Sequence, residues 1–166
     1  MTDRARRGIR IFDGADATPL HTTDMMSMPT FEGDVPDDLD DWYRSRGQEV
    51  TVLYRDPDEQ GVSLVMAAFS EGYVLPRHSH SADCLYFVLS GSALLGNRTV
   101  TAGSGFFVPA GAPYAYEAGP GGVQVLEFRN ASSFDMRISE NMAGWGTVLE
   151  AVRSHADEWR EAALHG

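Results

Sequence analysis

Gly72-Tyr-Val-Leu-Pro-Arg-His78-Ser-His80-Ser-Ala-Asp-Cys84-Leu-Tyr86-Phe-Val88-Leu-Ser-Gly91 decides how this chain is read. Side chains alternate faces along a strand with period two, so His78 and His80 point the same way. If that face lines the inside of a barrel, both imidazoles converge on one cavity, which is half of a metal site. The parity continues downstream. With Cys84 inward, Tyr86 and Val88 are inward too, and Leu85 and Phe87 face the other layer.

Around this stretch the chain is strand-like from about 49 to 129. Val50-Thr-Val-Leu-Tyr and Val62 to Phe69 flank a turn composition, Asp56-Pro-Asp-Glu-Gln-Gly. Gly72 to Leu75, Cys84 to Leu89, Ser92 to Leu95, Arg98 to Val100, Phe106 to Val108, Tyr114 to Tyr116 and Val123 to Phe128 follow. Gly96-Asn97 and Gly119 to Gly122 divide some of them. Short strands with frequent turns and no helical period between them predict an all-β antiparallel sandwich or barrel.

The flanks read differently. Residues 8–12 predict a short strand, and 13–35 are irregular. Asp37 to Arg46 predicts a short helix, with acids at its start, Arg44 and Arg46 at its end, Gly47 as a stop, and a buried stripe of Leu39, Trp42 and Tyr43. Residues 147–164 predict an amphipathic C-terminal helix. Thr147 and Glu150 have capping-box spacing, and Val148, Val152, His155 and Trp159 share one face. The division expected is an arm at 1–48, a barrel at 49–130 and a C-terminal segment at 131–166.

The charge balance, 24 acidic against 13 basic residues, gives −11. That repels phosphate backbones and anionic membrane surfaces, so neither a nucleic acid nor a membrane is an expected partner. No apolar run has the length of a membrane span. The first residues carry charges without the apolar stretch of a secretory signal, and one cysteine allows no intramolecular disulfide. The expected setting is the cytoplasm.

The segment 72–118 resembles the cupin superfamily. Gly72, His78, His80, Cys84 and Gly91 stand at the spacing of its first motif, with cysteine in place of glutamate. Gly103, Pro109, Gly111, Tyr114 and Ala118 stand at the spacing of its second, with tyrosine and alanine in place of histidine and asparagine. The resemblance implies a single jelly-roll barrel, usually a homodimer. It also implies a divalent transition metal in the barrel, here iron or zinc, held by His78, His80 and Cys84, with no organic cofactor. Cys84 reads three ways: as a thiolate ligand leaving an open metal position, as a small apolar filler in a metal-free pocket where the histidines act as bases, or, by resemblance to the cysteine dioxygenases among the cupins, as a residue cross-linked to Tyr114 or Tyr116.

The pocket expected from parity holds two histidines, a thiol, apolar walls and up to three phenols. Tyr114 orients substrate or moves a proton, and Tyr86, Tyr116 and Val88 line the substrate. That suits a partly apolar organic small molecule. The expected function is a cupin-type small-molecule enzyme, an oxygenase or other oxidoreductase, an isomerase or cyclase, or a lyase. The alternative is a metal-free, non-catalytic binding barrel. Glu127 is the one carboxylate on a core strand, and its expected face is outward. Arg77 and Arg98 read as solvated edge charges. His21 reads as an exposed loop residue and His155 as packed on the helix face. Met25, Met26 and Met28 form either a lid or wall packing.

Overall fold

In Ser63–Phe69 every second residue is buried, namely Ser63, Val65, Ala67 and Phe69, and those between are half-buried. That is the period-two signature of a strand with two unequal faces. The computed structural model describes residues 8–165. Its strands are β1 (Thr18–Pro19), β2 (Thr30–Phe31), β3 (Gln48–Arg55), β4 (Ser63–Phe69), β5 (Val74–Ser79), β6 (Cys84–Leu95), β7 (Arg98–Thr101), β8 (Gly105–Val108), β9 (Tyr114–Arg129) and β10 (Arg137–Ile138). Two helices accompany them, α1 (Leu39–Tyr43) and α2 (Met142–His165). The expected all-β jelly-roll barrel, with a short helix in the arm and a long one at the end, is the architecture found.

All ten strands share one sheet in the order β1-β3-β4-β9-β5-β10-β2, with β6 paired to β7, β8 and β9. Strand β9 is the spine. Its second half lies between β4 and β6, and its first half pairs with β5, setting His78 opposite Tyr114. The sheet curls where β6 and β9 bend together. There Gly91 has φ +72°, and a Cβ on it would sit 2.0 Å from the Gly122 carbonyl oxygen. Only glycine permits both that dihedral and that approach.

The sequence reading needs several corrections. Residues 8–12 form no strand, because Ile9 and Ile11 find no partner strand and stay exposed. The arm helix is one short turn, Leu39–Tyr43. It buries Trp42, leaves Leu39 half-buried and leaves Tyr43 exposed. Cys84 to Leu95 is one bulged strand and so is Tyr114 to Arg129, since local bulges absorb Ser90 to Gly91 and the glycines at 119–122. Helix α2 starts at Met142, five residues earlier than its pattern predicts. The Asn141 side chain accepts from Gly144 N at 2.9 Å, so Asn141 is the cap, while Thr147 donates back to Ala143 O inside the helix.

The face of α2 expected to be apolar does pack. Trp145, Val148, Leu149, Val152 and Trp159 join the main core with Trp42, Phe69, Tyr73 and Leu75. Each buried valine contributes about 1.5–3 kcal/mol by removal from water. His155 stacks on Trp159 with ring centres 5.4 Å apart, and Gly72 leaves room for its imidazole. Met25 packs on the barrel wall with Leu20, Val52, Val65 and Phe134, which settles the methionine cluster as packing at that position. Met28 is exposed. No helix among the described residues is long and apolar enough to cross a membrane.

Candidate functional site

Strand β5 carries His78 into the barrel, where it is 2% exposed. Its Nδ1 lies 2.7 Å from the Pro76 carbonyl oxygen, which can only accept, so Nδ1 carries the proton. Nε2 is therefore the acceptor, and the Tyr114 hydroxyl donates to it at 2.9 Å. Having given its proton to His78, Tyr114 accepts from Tyr86, whose hydroxyl lies against it. The polarity of the chain follows from one backbone carbonyl: Tyr86 to Tyr114 to His78. His80 is fixed in the same way. Its Nδ1 donates to the Asp135 carbonyl oxygen at 2.5 Å, leaving Nε2 as its acceptor.

Both imidazoles are held neutral. Burial pushes His78 down to about 3, assisted by the neighbouring His80. Burial and then the Arg129 charge push His80 down to about 4. The phenols move the other way. Burial, then Glu127, raises both Tyr86 and Tyr114 well above the ordinary phenol value.

The pairing register places Glu127 opposite Tyr86 and Arg129 opposite Cys84. Glu127 is thus inside the barrel, 8% exposed, and the outward face expected for it is wrong. Arg129, which the sequence reading passed over, is buried beside it. Its Nη2 donates to Glu127 Oε2 at 2.5 Å, and its guanidinium carbon lies 3.9 Å from the centre of the Phe134 ring. Its Nε and Nη1 have no partner among the described residues. Burial works against the Arg129 charge, but the fields of Glu127 and the phenols outweigh it and hold the guanidinium fully charged. An acid and a base two apart on one strand was the available signal for this pair.

The remaining expected residues fall nearby. Cys84 is 1% exposed and packs with Tyr86 and Val108. Burial pushes its thiol up to about 11, which keeps it protonated. Tyr116 is buried with its hydroxyl unpartnered, and Val88 lies in the main core. His21 is exposed in a one-turn 3-10 helix, Leu20–Thr22, and Arg77 on β5 and Arg98 on β7 are exposed too.

As arranged here these residues do not fit a divalent metal. Among the described residues no three His, Cys, Asp or Glu side chains gather as a ligand set. The reason is visible in the bonds. His78 Nε2 is taken by Tyr114, and a buried guanidinium repels a second cation in the same space. A pocket of about 320 Å³ lies beyond Phe134, lined by Asp24, Met25, Ser27, Ser81, Ser133 and Asp135 as well. The Phe134 ring stands edge-on to His80 at 5.4 Å between ring centres.

No protein-family model matches the chain, and no curated protein does. Among solved structures it is similar to oxalate decarboxylase from Bacillus subtilis, an enzyme with Mn(II) centres, at 20% identity over 54% of this chain and 26% of that one, with a TM-score of 0.48. It is also similar to an RmlC-like cupin from Shewanella frigidimarina, at 19% identity over 54% and 80% of the two chains and a TM-score of 0.47. A protein of unknown function with a cupin-like fold from Ralstonia eutropha matches at 20% identity over 66% and 75%, with a TM-score of 0.46. The chain spans about a quarter of the length of the oxalate decarboxylase chain. Likeness at this level says nothing of what the chain does.

Proposed function

We propose that this protein binds a small, partly apolar organic molecule inside the barrel and acts on it by acid–base chemistry without a resident metal. The observation that supports this is the directed chain Tyr86 to Tyr114 to His78, whose Tyr86 end stands opposite Glu127 and its bonded Arg129, a buried arginine with two N–H donors unpartnered among the described residues. A ligand carbonyl or carboxylate oxygen would accept from Arg129 Nε and Nη1. A C–H beside that carbonyl breaks toward the Tyr86 oxygen. Tyr86 then passes its own proton to Tyr114, and Tyr114 passes one to His78 Nε2. The electron pair rests on the ligand oxygen held by Arg129. Return of the proton along the same chain to a different atom completes an isomerisation or cyclisation, and loss of a leaving group completes an elimination. The negative ligand raises the basicity of His78. The lone cysteine, kept as a thiol, suits the cytoplasm.

The test is exchange. Small aliphatic and aromatic keto acids are incubated with the protein in deuterium oxide, and their C–H signals are followed by NMR. Tyr114→Phe is expected to lose exchange by about 100-fold or more while ligands still bind. Ligands that bind without exchange in the parent would leave a non-catalytic binding barrel instead. The competing metalloenzyme reading, with iron or zinc on His78, His80 and Cys84 and oxidoreductase chemistry, requires Tyr114 to leave His78. Elemental mass spectrometry of untagged protein decides it. Stoichiometric metal that disappears in the His78→Ala/His80→Ala double variant would overturn the metal-free reading.

A further inference from the structure

Phe134 belongs to two places. On one side its ring lies 3.9 Å from the Arg129 guanidinium carbon and stands edge-on to His80, with ring centres 5.4 Å apart. On the other side it is a wall of the pocket of about 320 Å³ that Asp24, Met25, Ser27, Ser81 and Ser133 also line. Asp135 makes the same link through its backbone. Its carbonyl oxygen accepts from His80 Nδ1, and the residue lines that pocket as well. One aromatic ring thus stands between the pocket and the donors of the barrel interior.

The main chain that carries the ring is clamped. Phe134 N donates to Met25 O at 3.0 Å, and Phe134 O accepts from Ser27 N at 3.2 Å. Motion is left to the side chain. The ring packs with Leu20, Met25, Val52 and Val65, and Met25 shares the pocket wall. An unbranched thioether adapts to a neighbour that turns.

The chemistry changes across the ring. Inside are N–H donors, Arg129 Nε and Nη1, buried and without a partner among the described residues. Outside are acceptors, the carboxylates of Asp24 and Asp135, with three serine hydroxyls. The arginines bonded to those carboxylates, Arg55 and Arg137, are not part of the lining. A ligand oxygen is favoured inside and an O–H or N–H donor outside, while a second carboxylate outside meets like charge.

We propose that the pocket and Arg129 are the outer and inner ends of one ligand site, and that the Phe134 ring is the door between them. The ligand enters oxygen first, the ring turns aside, and the far end stays in the pocket. Its class follows from the two ends: a carbonyl compound or keto acid with at most one carboxylate, bearing a hydroxyl or amino group at the far end. That assigns a substrate class to the acid–base function proposed above and rests on it.

Two measurements test the site. The first needs no ligand. The Arg129 Nε proton exchanges with water at the rate at which water reaches it, and heteronuclear NMR follows that exchange. Phe134→Leu, which keeps an apolar side chain, should speed it at least about tenfold. The amide protons of Val65 and Val125 should keep their rates, which a merely structural role for Phe134 would raise as well. The second measurement is of keto acid binding. Para-hydroxyphenylpyruvate carries a donor at its far end, and para-carboxyphenylpyruvate carries a charge there. The hydroxy acid should bind at least about tenfold more tightly. Ser27→Trp fills the pocket from an exposed position, so folding is not at stake. It should slow association of the hydroxy acid at least about tenfold. An Arg129 proton unmoved by Phe134→Leu, equal affinities for the two acids, or an unchanged association rate in Ser27→Trp would each overturn the site and leave the acid–base function standing. Failure of every keto acid to bind would overturn both.

Discussion

Two neutral buried histidines make the stability of this barrel steeply dependent on mild acid. An unfolded histidine titrates near 6.5, whereas burial pushes His78 to about 3 and His80 to about 4. Both folded values lie below the unfolded one, so below pH 6.5 the unfolded chain binds two protons that the folded chain refuses. The stability they contribute is complete above pH 6.5 and is lost as the pH falls toward 3–4. The slope over that range is about 2.7 kcal/mol per pH unit, and by pH 5 the loss is about 4 kcal/mol, a large share of the 5–15 kcal/mol of an ordinary domain. For a chain of this size that is a fall in Tm of about 8–16 °C. Asp24, Asp56 and Asp135 are held below the usual carboxylate range, so their loss comes only further down in pH. The assay is urea unfolding at half-unit steps from pH 8 to 5, with the m-value checked for constancy. His78→Gln and His80→Asn should each halve the slope whatever they do to absolute stability. An unfolding free energy that falls by less than about 1 kcal/mol from pH 8 to 5, or a single variant that keeps the two-proton slope, would refute the assignment of neutral buried imidazoles.

The ion pair and the bend yield two further expectations. Glu127→Gln strands the Arg129 charge in the barrel and should cost about 3–5 kcal/mol by chemical denaturation. Glu127→Leu/Arg129→Met removes both charges and should recover most of that loss, so a double variant no better than the single one would show that the pair is not the cause. Gly91→Ala meets both a positive φ and the Gly122 carbonyl, and should cost about 3 kcal/mol or more. Gly96→Ala, with nothing within 4 Å of its added carbon, should cost about 1 kcal/mol; equal costs at the two sites would refute the close approach.

Parity along β6 was legible because it needs only one anchor. Once Cys84 is inward, Tyr86 and Val88 follow, and the burial alternates accordingly. The face of Glu127 was not legible, and the outer surface is the reason. On β9 both parities are apolar, Val123 and Val125 on one side and Leu126 and Phe128 on the other, so hydrophobicity could not say which pointed inward. Arg129 was lost with it, since a lone arginine at the end of a strand looks like an edge charge until its neighbour is known to be buried. The start of α2 was misread because a capping-box spacing was found at Thr147, whereas Asn141, six residues earlier, does the capping. Residues 8–12 alternate like a strand, but a strand also needs an unpaired neighbour to bond, and the pattern carries no information about that.

Cys84 gives the chain a built-in clock. It is the sole thiol, it is buried, and burial keeps it protonated up to about pH 11. An alkylating reagent meets no other sulfhydryl, and this one is 1% exposed, packed with Tyr86 and Val108. Each modification event therefore records one opening of that packing. The rate of labelling, divided by that of the unfolded chain, gives the equilibrium of barrel opening with no engineered probe.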